Sequence, residues 1–213
     1  MNQQDQQTTR VKEGAFHLPG FLSLPEQERI ASLCLELGKN AAGFYQPVLR
    51  SGAKMRLRMM CLGRHWNAKT YNYELHRSDV DGLAVQPIPA TLAKLAERAA
   101  TLAEFSVRPD ILLVNWYGKD GRLGLHQDKD ERPETLQAGI PVVSFSIGDT
   151  CEFIFGGLSR SDPRKKIALH SGDAFVFGGP ARLCFHGVRR ILPRTGPSGV
   201  WPSGRLNLTF RQF

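Results

Sequence analysis

In the stretch Leu125-His126-Gln127-Asp128-Lys129-Asp130-Glu131, an imidazole and a carboxylate stand two residues apart. In an extended segment such residues project to the same side. His126 and Asp128 can therefore offer two ligands to one divalent metal. A third donor would complete one face of an octahedron and leave the opposite positions open. That is the 2-His-1-carboxylate set suited to non-haem Fe(II). His186, within Cys184-Phe185-His186-Gly187-Val188, is the natural third donor, and the chain between it and Asp128 is long enough for several strands. Taken singly, each piece has a plainer reading. A His-x-Asp suits a solvated turn, and a histidine among apolar neighbours suits a satisfied core position.

The C-terminal run Arg205-Leu206-Asn207-Leu208-Thr209-Phe210-Arg211 alternates polar and apolar residues. As a strand it puts Arg205, Asn207, Thr209 and Arg211 on one face and Leu206, Leu208 and Phe210 on the other. If the polar face points into a barrel, two guanidiniums are buried and need anionic partners. A dicarboxylate would supply them, because Arg grips carboxylates with a bidentate fork. A solvent-facing edge strand is the alternative.

These side chains need strands to hold them. From residue 111 onward, short β-branched or aromatic runs recur: Ile111–Tyr117, Pro141–Ile147, Glu152–Phe155, Lys166–His170, Ala174–Phe177, Leu183–Val188 and Arg205–Arg211. Gly, Asp and Pro separate them. The pattern predicts a jelly roll with a mouth that can hold a metal. Phe16–Leu22 reads as a further strand. Ser23, Pro25 and Glu26 signal a helix start, and the spacing of Ile30, Leu33, Cys34 and Leu37 predicts a helix over 25–37 ended by Gly38. A second helix is predicted over 89–103. The fold class is mainly β with flanking helices, a double-stranded β-helix carrying an N-terminal lid. Residues 1–13 read as a disordered tail and 14–213 as one domain, with a lid at about 44–80 and a core at about 111–213.

Between residues 44 and 73, Arg50, Lys54, Arg56, Arg58, Arg64 and Lys69 occur with no acidic residue among them, and Trp66, Tyr71 and Tyr73 follow closely. Cations can neutralise phosphates and aromatic faces can stack on bases. A solvated strand–loop region with buried rings is the alternative. A net charge of +8 also favours a polyanionic partner. Cys34, Cys61, Cys151 and Cys184 form no CxxC pair and read as reduced core thiols, which predicts a cytoplasmic protein. The polar first ten residues contain no secretory signal, and no apolar run is long enough to span a membrane. A monomer is expected.

Taken in order, several segments resemble the AlkB family of Fe(II)/2-oxoglutarate-dependent DNA alkylation-repair dioxygenases. They are Asn115-x-Tyr117, the 125–131 stretch, Phe155-Gly156-Gly157-Leu158-x-Arg160-x-Asp162-Pro163, Gly172-Asp173, Arg182-Leu183-x-x-x-His186-Gly187 and Arg205-x-Asn207-Leu208-Thr209-Phe210-Arg211. The likeness is dense over 111–213, thinner over 60–110 and absent from the N-terminal tail. It implies that His126, Asp128 and His186 ligate Fe(II). Arg205 would bind the distal carboxylate of 2-oxoglutarate, assisted by Asn115, Tyr117 and Asn207, with Arg211 near the metal-proximal end. Trp66 and Tyr71 resemble the family's base-stacking and backbone-contacting lid residues, and Asp130 and Arg160 match positions near the base.

The implied reaction uses O2 to demethylate 1-methyladenine or 3-methylcytosine in single-stranded DNA, releasing succinate, CO2 and formaldehyde. Such methylated bases are cationic, which gives Asp130 an electrostatic role. Trp116, where the best-known member has a basic residue, and Phe177, at a position associated with Trp, depart from the pattern and bear on substrate preference. A related dioxygenase acting on RNA or protein is one alternative. A non-enzymatic cupin-like metal-binding module is another, although it would need no dicarboxylate clamp.

Overall fold

The alternation of Arg205–Arg211 is resolved by its neighbours: this strand lies inside a seven-stranded sheet with every residue buried. The computed structural model describes residues 8–213. In chain order the elements are β1 (Thr9–Lys12), β2 (Ala15–Leu18), α1 (Leu24–Lys39), β3 (Arg58–Leu62), β4 (His65–Asn67), β5 (Asn72–Glu74), α2 (Ala90–Leu102), β6 (Ile111–Tyr117), β7 (Leu123–His126), α3 (Pro133–Gln137), β8 (Val142–Gly148), β9 (Thr150–Phe155), β10 (Lys165–Leu169), β11 (Ala174–Phe177), β12 (His186–Leu192) and β13 (Arg205–Arg211). The larger sheet runs β1-β2-β11-β8-β13-β6-β3 and the smaller β10-β9-β12-β7, while β4 and β5 form a separate hairpin. From β8 onward the chain passes back and forth between the two sheets, and the pairings are antiparallel. This is the double-stranded β-helix predicted from the sequence.

Two apolar layers hold it. Between the sheets, Phe153, Phe155, Phe175 and Phe177 pack with Leu113, Val142, Cys151 and Val188. Phe153 and Phe175 meet edge to face at 5.1 Å, a geometry aromatic quadrupoles favour. Behind the larger sheet, Leu206, Leu208 and Phe210 of β13 pack with Ile30 and Cys34 of α1 and with Leu92, Ala96 and Ala99 of α2. The four cysteines are free and buried, as their apolar settings predicted.

Some boundaries differ from the sequence reading. Helix α1 starts as expected, with the Glu26 carboxylate accepting from the Ser23 N–H and hydroxyl. It runs through Gly38 to Lys39, however. Gly38 is required for a close approach, since a Cβ there would sit 2.6 Å from the Phe44 ring. The expected disordered tail is corrected at its inner end: Thr9–Lys12 pairs with β2 as an edge strand. A polar edge strand needs only a neighbour's backbone groups, so hydrophobic pattern does not reveal it. The rest of that tail, residues 1–7, lies outside the described residues. β12 starts at His186 and not Leu183, and it extends to Leu192: it stays paired with β9 through a register shift between Val188 and Arg190, and the exposed Arg189 and Arg190 interrupt the apolar pattern that a sequence reading follows. The 44–80 range also contains β3, which is paired to β6 within the larger sheet. Among the described residues no helix is long and apolar enough to cross a membrane.

Candidate metal centre and base-facing cavity

His126 closes β7 and His186 opens β12, and the two are register partners, with ring centroids 4.4 Å apart. Each ring is fixed by its own backbone. The Nδ1–H of His126 donates to the Gly124 carbonyl at 2.9 Å, and that of His186 to the Cys184 carbonyl at 3.0 Å. This sets the tautomer and leaves both Nε2 atoms as ligands. Each Nε2 lies 3.4 Å from a carboxylate oxygen of Asp128. One donor atom from each of the three residues falls within 4.8 Å of the others, a fit for one divalent cation.

The electrostatics suit the same ion. Burial alone would raise the Asp128 carboxyl, but the Arg211 guanidinium at 2.6 Å and the two imidazoles outweigh it and hold the group well below the usual carboxylate range. Burial and the neighbouring His126 lower the His186 pKa, which keeps this ligand neutral.

Two buried residues behind the triad went unassigned in the sequence. Glu131 pairs with Arg182 at 3.0 Å and with Arg211 at 3.3 Å, and Arg182 donates to the Asp128 and Ile140 carbonyls. Together they clamp the turn that carries Asp128. Their signal was present, since both lie in the quoted motifs. Their roles depend on contacts distant in sequence.

β13 presents its polar face to the space between the sheets. Arg205 is 1% exposed and stands over the Tyr117 ring, with its Nη2 donating to Ser146. Its Nε and Nη1 have no partner, and Asn115 Oδ1 is likewise unpaired. Among the described residues no acid pairs with Arg205. A buried cation left this way is costly, so the donor set fits an anionic cosubstrate such as a dicarboxylate. Asn207, opposite Asn115 in the ladder, is already engaged: its amide donates to Ser144 and the Phe145 carbonyl, and its oxygen accepts from Thr209.

A cavity of about 620 Å³ gathers His126, Asp128, Asn115 and Arg211 with Trp66, Tyr71, Asp130 and Arg160. Tyr117, Arg205 and Asn207 lie outside its lining. Across it, the Trp66 indole N–H donates to Asp130 at 2.8 Å, and Tyr71 meets the Trp66 ring edge-on at 5.8 Å. Tyr71 holds a φ of +59°, in a turn whose N–H groups bond to Asn67. Next to Trp66, the fully buried His65 bonds Asp79 at 2.5 Å and lies 3.4 Å from the Tyr45 hydroxyl. Arg160 donates to the Leu125 carbonyl and covers the Phe185 ring. The basic run divides. Arg64 pairs with Asp110, whereas Arg50, Lys54, Arg56, Arg58 and Lys69 are exposed, Arg58 lying over the Phe44 and Trp116 rings.

A jelly roll with two imidazoles and a carboxylate at one end, and an unpaired arginine deeper inside, defines an Fe(II)- and 2-oxoglutarate-dependent oxygenase scaffold. The family model described as the 2OG-Fe(II) oxygenase superfamily matches residues 14–211. The DNA N(6)-methyladenine demethylase ALKBH1C of Arabidopsis thaliana is 41% identical over 96% of this chain and 50% of its own. The alpha-ketoglutarate-dependent dioxygenase AlkB of Escherichia coli is 39% identical over 79% of this chain and 77% of its own. A solved structure described as "The structure of OsALKBH1" superposes with a TM-score of 0.91 at 40% identity, covering 97% of this chain and 100% of that one. The chain belongs to the AlkB family of this superfamily. It spans about half the length of the Arabidopsis relatives.

Proposed function

We propose that this chain is a dioxygenase that oxidatively demethylates N-methylated bases in nucleic acid. The observation that carries the reading is the shared cavity: one wall is the His126–Asp128 edge of the metal centre, and the other is the Trp66–Asp130 pair. Fe(II) with 2-oxoglutarate and O2 would supply the oxidising chemistry, hydroxylating an N-methyl group that leaves as formaldehyde while 2-oxoglutarate becomes succinate and CO2.

The protein's part is orientation and charge. His126, Asp128 and His186 hold the metal, with Arg211 keeping Asp128 ionised. The free Nε and Nη1 of Arg205 would hold the distal carboxylate of 2-oxoglutarate. Asn115, which lines the cavity and has a buried oxygen without a partner, would complete the cosubstrate's surroundings, with Asn207 beside it in the ladder. The base must be unpaired or flipped to enter. It stacks against Trp66 and His126, with Tyr71 and Arg160 on the adjoining backbone, and Leu113, Met59 and Leu125 exclude water.

Two substrate readings differ in charge. The Asp130 carboxylate beside the stacking wall favours cationic 1-methyladenine or 3-methylcytosine in single-stranded DNA. The Arabidopsis relatives, named as DNA N(6)-methyladenine demethylases, favour N6-methyladenine, which is neutral. Mass spectrometry of DNA and RNA oligonucleotides carrying each lesion, after incubation with Fe(II) and 2-oxoglutarate, separates them. Formaldehyde release from none of them defeats the proposal.

A further inference from the structure

We propose that the outer face of the four-stranded sheet is a backbone-binding groove for the nucleic-acid strand that leaves the cavity, an inference that rests on the nucleic-acid reading above. α1 and α2 both pack on the seven-stranded sheet, on the opposite side of the molecule from this face. A cavity of about 480 Å³ crosses it, edged by Arg122, Arg164, Lys166 and Arg189, with no acidic residue in its lining. Its floor follows the ladder. Lys166 of β10 is level with Ile154 of β9, and Ile154 with Gly187 of β12. β7 follows beyond, so the groove runs across the strands. Three interstrand steps of about 4.8 Å give roughly 14 Å, room for a short run of nucleotides.

The groove is continuous with the catalytic mouth. Leu123 and Leu125 of β7 line both cavities. Arg160 stands at the mouth, and the Arg164 guanidinium donates to the Arg160 carbonyl. The cations thus continue from the mouth into the groove. Arg122 and Lys166 are exposed and form no ion pair among the described residues. Glu152 lies outside the lining and is shared by Arg189 and Arg190. Arg122 and Lys166, cations without an acidic partner, stand beside an apolar floor with Arg164 and the Glu152-paired Arg189; this complements a phosphodiester chain, which is charged at every unit and carries no sequence-specific demand.

The test compares a methylated trinucleotide, which fills only the cavity, with a methylated 15-mer, in DNA and RNA versions. The variant is R122Q/K166Q/R189Q, whose three side chains are exposed and outside the catalytic machinery. For the 15-mer, affinity should fall at least tenfold, and the slope of log K against log salt should shrink by about 2, at roughly 0.7 per single-strand phosphate contact. Trinucleotide demethylation and succinate formation without nucleic acid should stay at wild-type levels. Unchanged 15-mer affinity and slope in the variant overturn the groove. A wild type that demethylates the trinucleotide but holds the 15-mer no more tightly also overturns the groove and leaves the demethylase reading standing. A wild type that acts on neither substrate overturns both.

Discussion

His126 and Trp66 face one cavity but are held by different means. His126 sits on a ladder that pairs it with His186, and the triad behind it is locked by Arg211, Glu131 and Arg182, buried charges that neutralise one another. Trp66 sits on a hairpin of two three-residue strands, braced by local polar bonds: Asn67 with Glu74 and Ser78, and His65 with Asp79. The metal end is rigid because its partners come from distant strands of a closed core. The hairpin is tied to that core through Tyr73, whose hydroxyl accepts from Arg211, while Tyr71 at its tip is exposed. Reaction geometry is assigned to the first region and substrate fit to the second, so damage to each should read out differently.

The sharpest break comes at the metal end. His126→Ala should abolish Fe(II)-dependent turnover and leave the fold intact, because the ring is partly exposed. Asp128→Ala should abolish turnover as well, and should also destabilise the fold by roughly 3–5 kcal/mol, since it strips a buried guanidinium of its nearest carboxylate. Metal titration and thermal melting of the two variants check this. Equal melting temperatures would show that Arg211 does not depend on Asp128.

Arg205→Lys keeps the charge and loses the fork. Loss of charged hydrogen bonds worth roughly 1.5–3 kcal/mol should raise the KM for 2-oxoglutarate about ten- to a hundredfold. An unchanged KM would assign the carboxylate to another cation.

On the lid, Trp66→Ala should cost roughly 1–3 kcal/mol of substrate binding through one lost stack. Succinate formation without nucleic acid should hardly change. Parallel loss of demethylation, uncoupled turnover and melting temperature would make Trp66 a core residue and erase the contrast. Asp79→Asn weakens the bond to His65 behind that tryptophan. It should raise the KM for a methylated oligonucleotide severalfold while the KM for 2-oxoglutarate stays put, and a shift in both constants would join lid and core into one unit.

The smallest effect lies outside both regions and serves as their control. Asp173 accepts from His17 and from the Gly20 and His170 N–H groups. Burial pushes its carboxyl up, but these partners outweigh it and leave the pKa below the ordinary 3.8. Its contribution to stability is therefore present in full above pH 3.8 and is lost as pH falls through the lower native value. In Asp173→Asn the acid side of the melting curve should flatten, with turnover at neutral pH unaffected.

Pattern alone determined much of this molecule. Period-2 alternation gave β13 both of its faces, and β6 and β11 were legible to the residue, because the face of a strand that packs into an apolar layer must itself be apolar. The His-x-Asp pair and the later histidine were legible as donors because ligand chemistry is carried by residue type. What the sequence could not decide was pairing. Whether Arg205 faced solvent or the interior depended on β8 and β6 flanking it. Whether the basic run was one surface depended on Asp110, which draws Arg64 out of it, and on Phe44 and Trp116, whose rings carry the exposed Arg58. Glu131 and Arg182 became a clamp, and His65 a brace, only when the fold brought their partners within hydrogen-bond reach. A hydrogen bond or ion pair is decided at about 3 Å, and for residues far apart in the chain only the tertiary structure sets that distance.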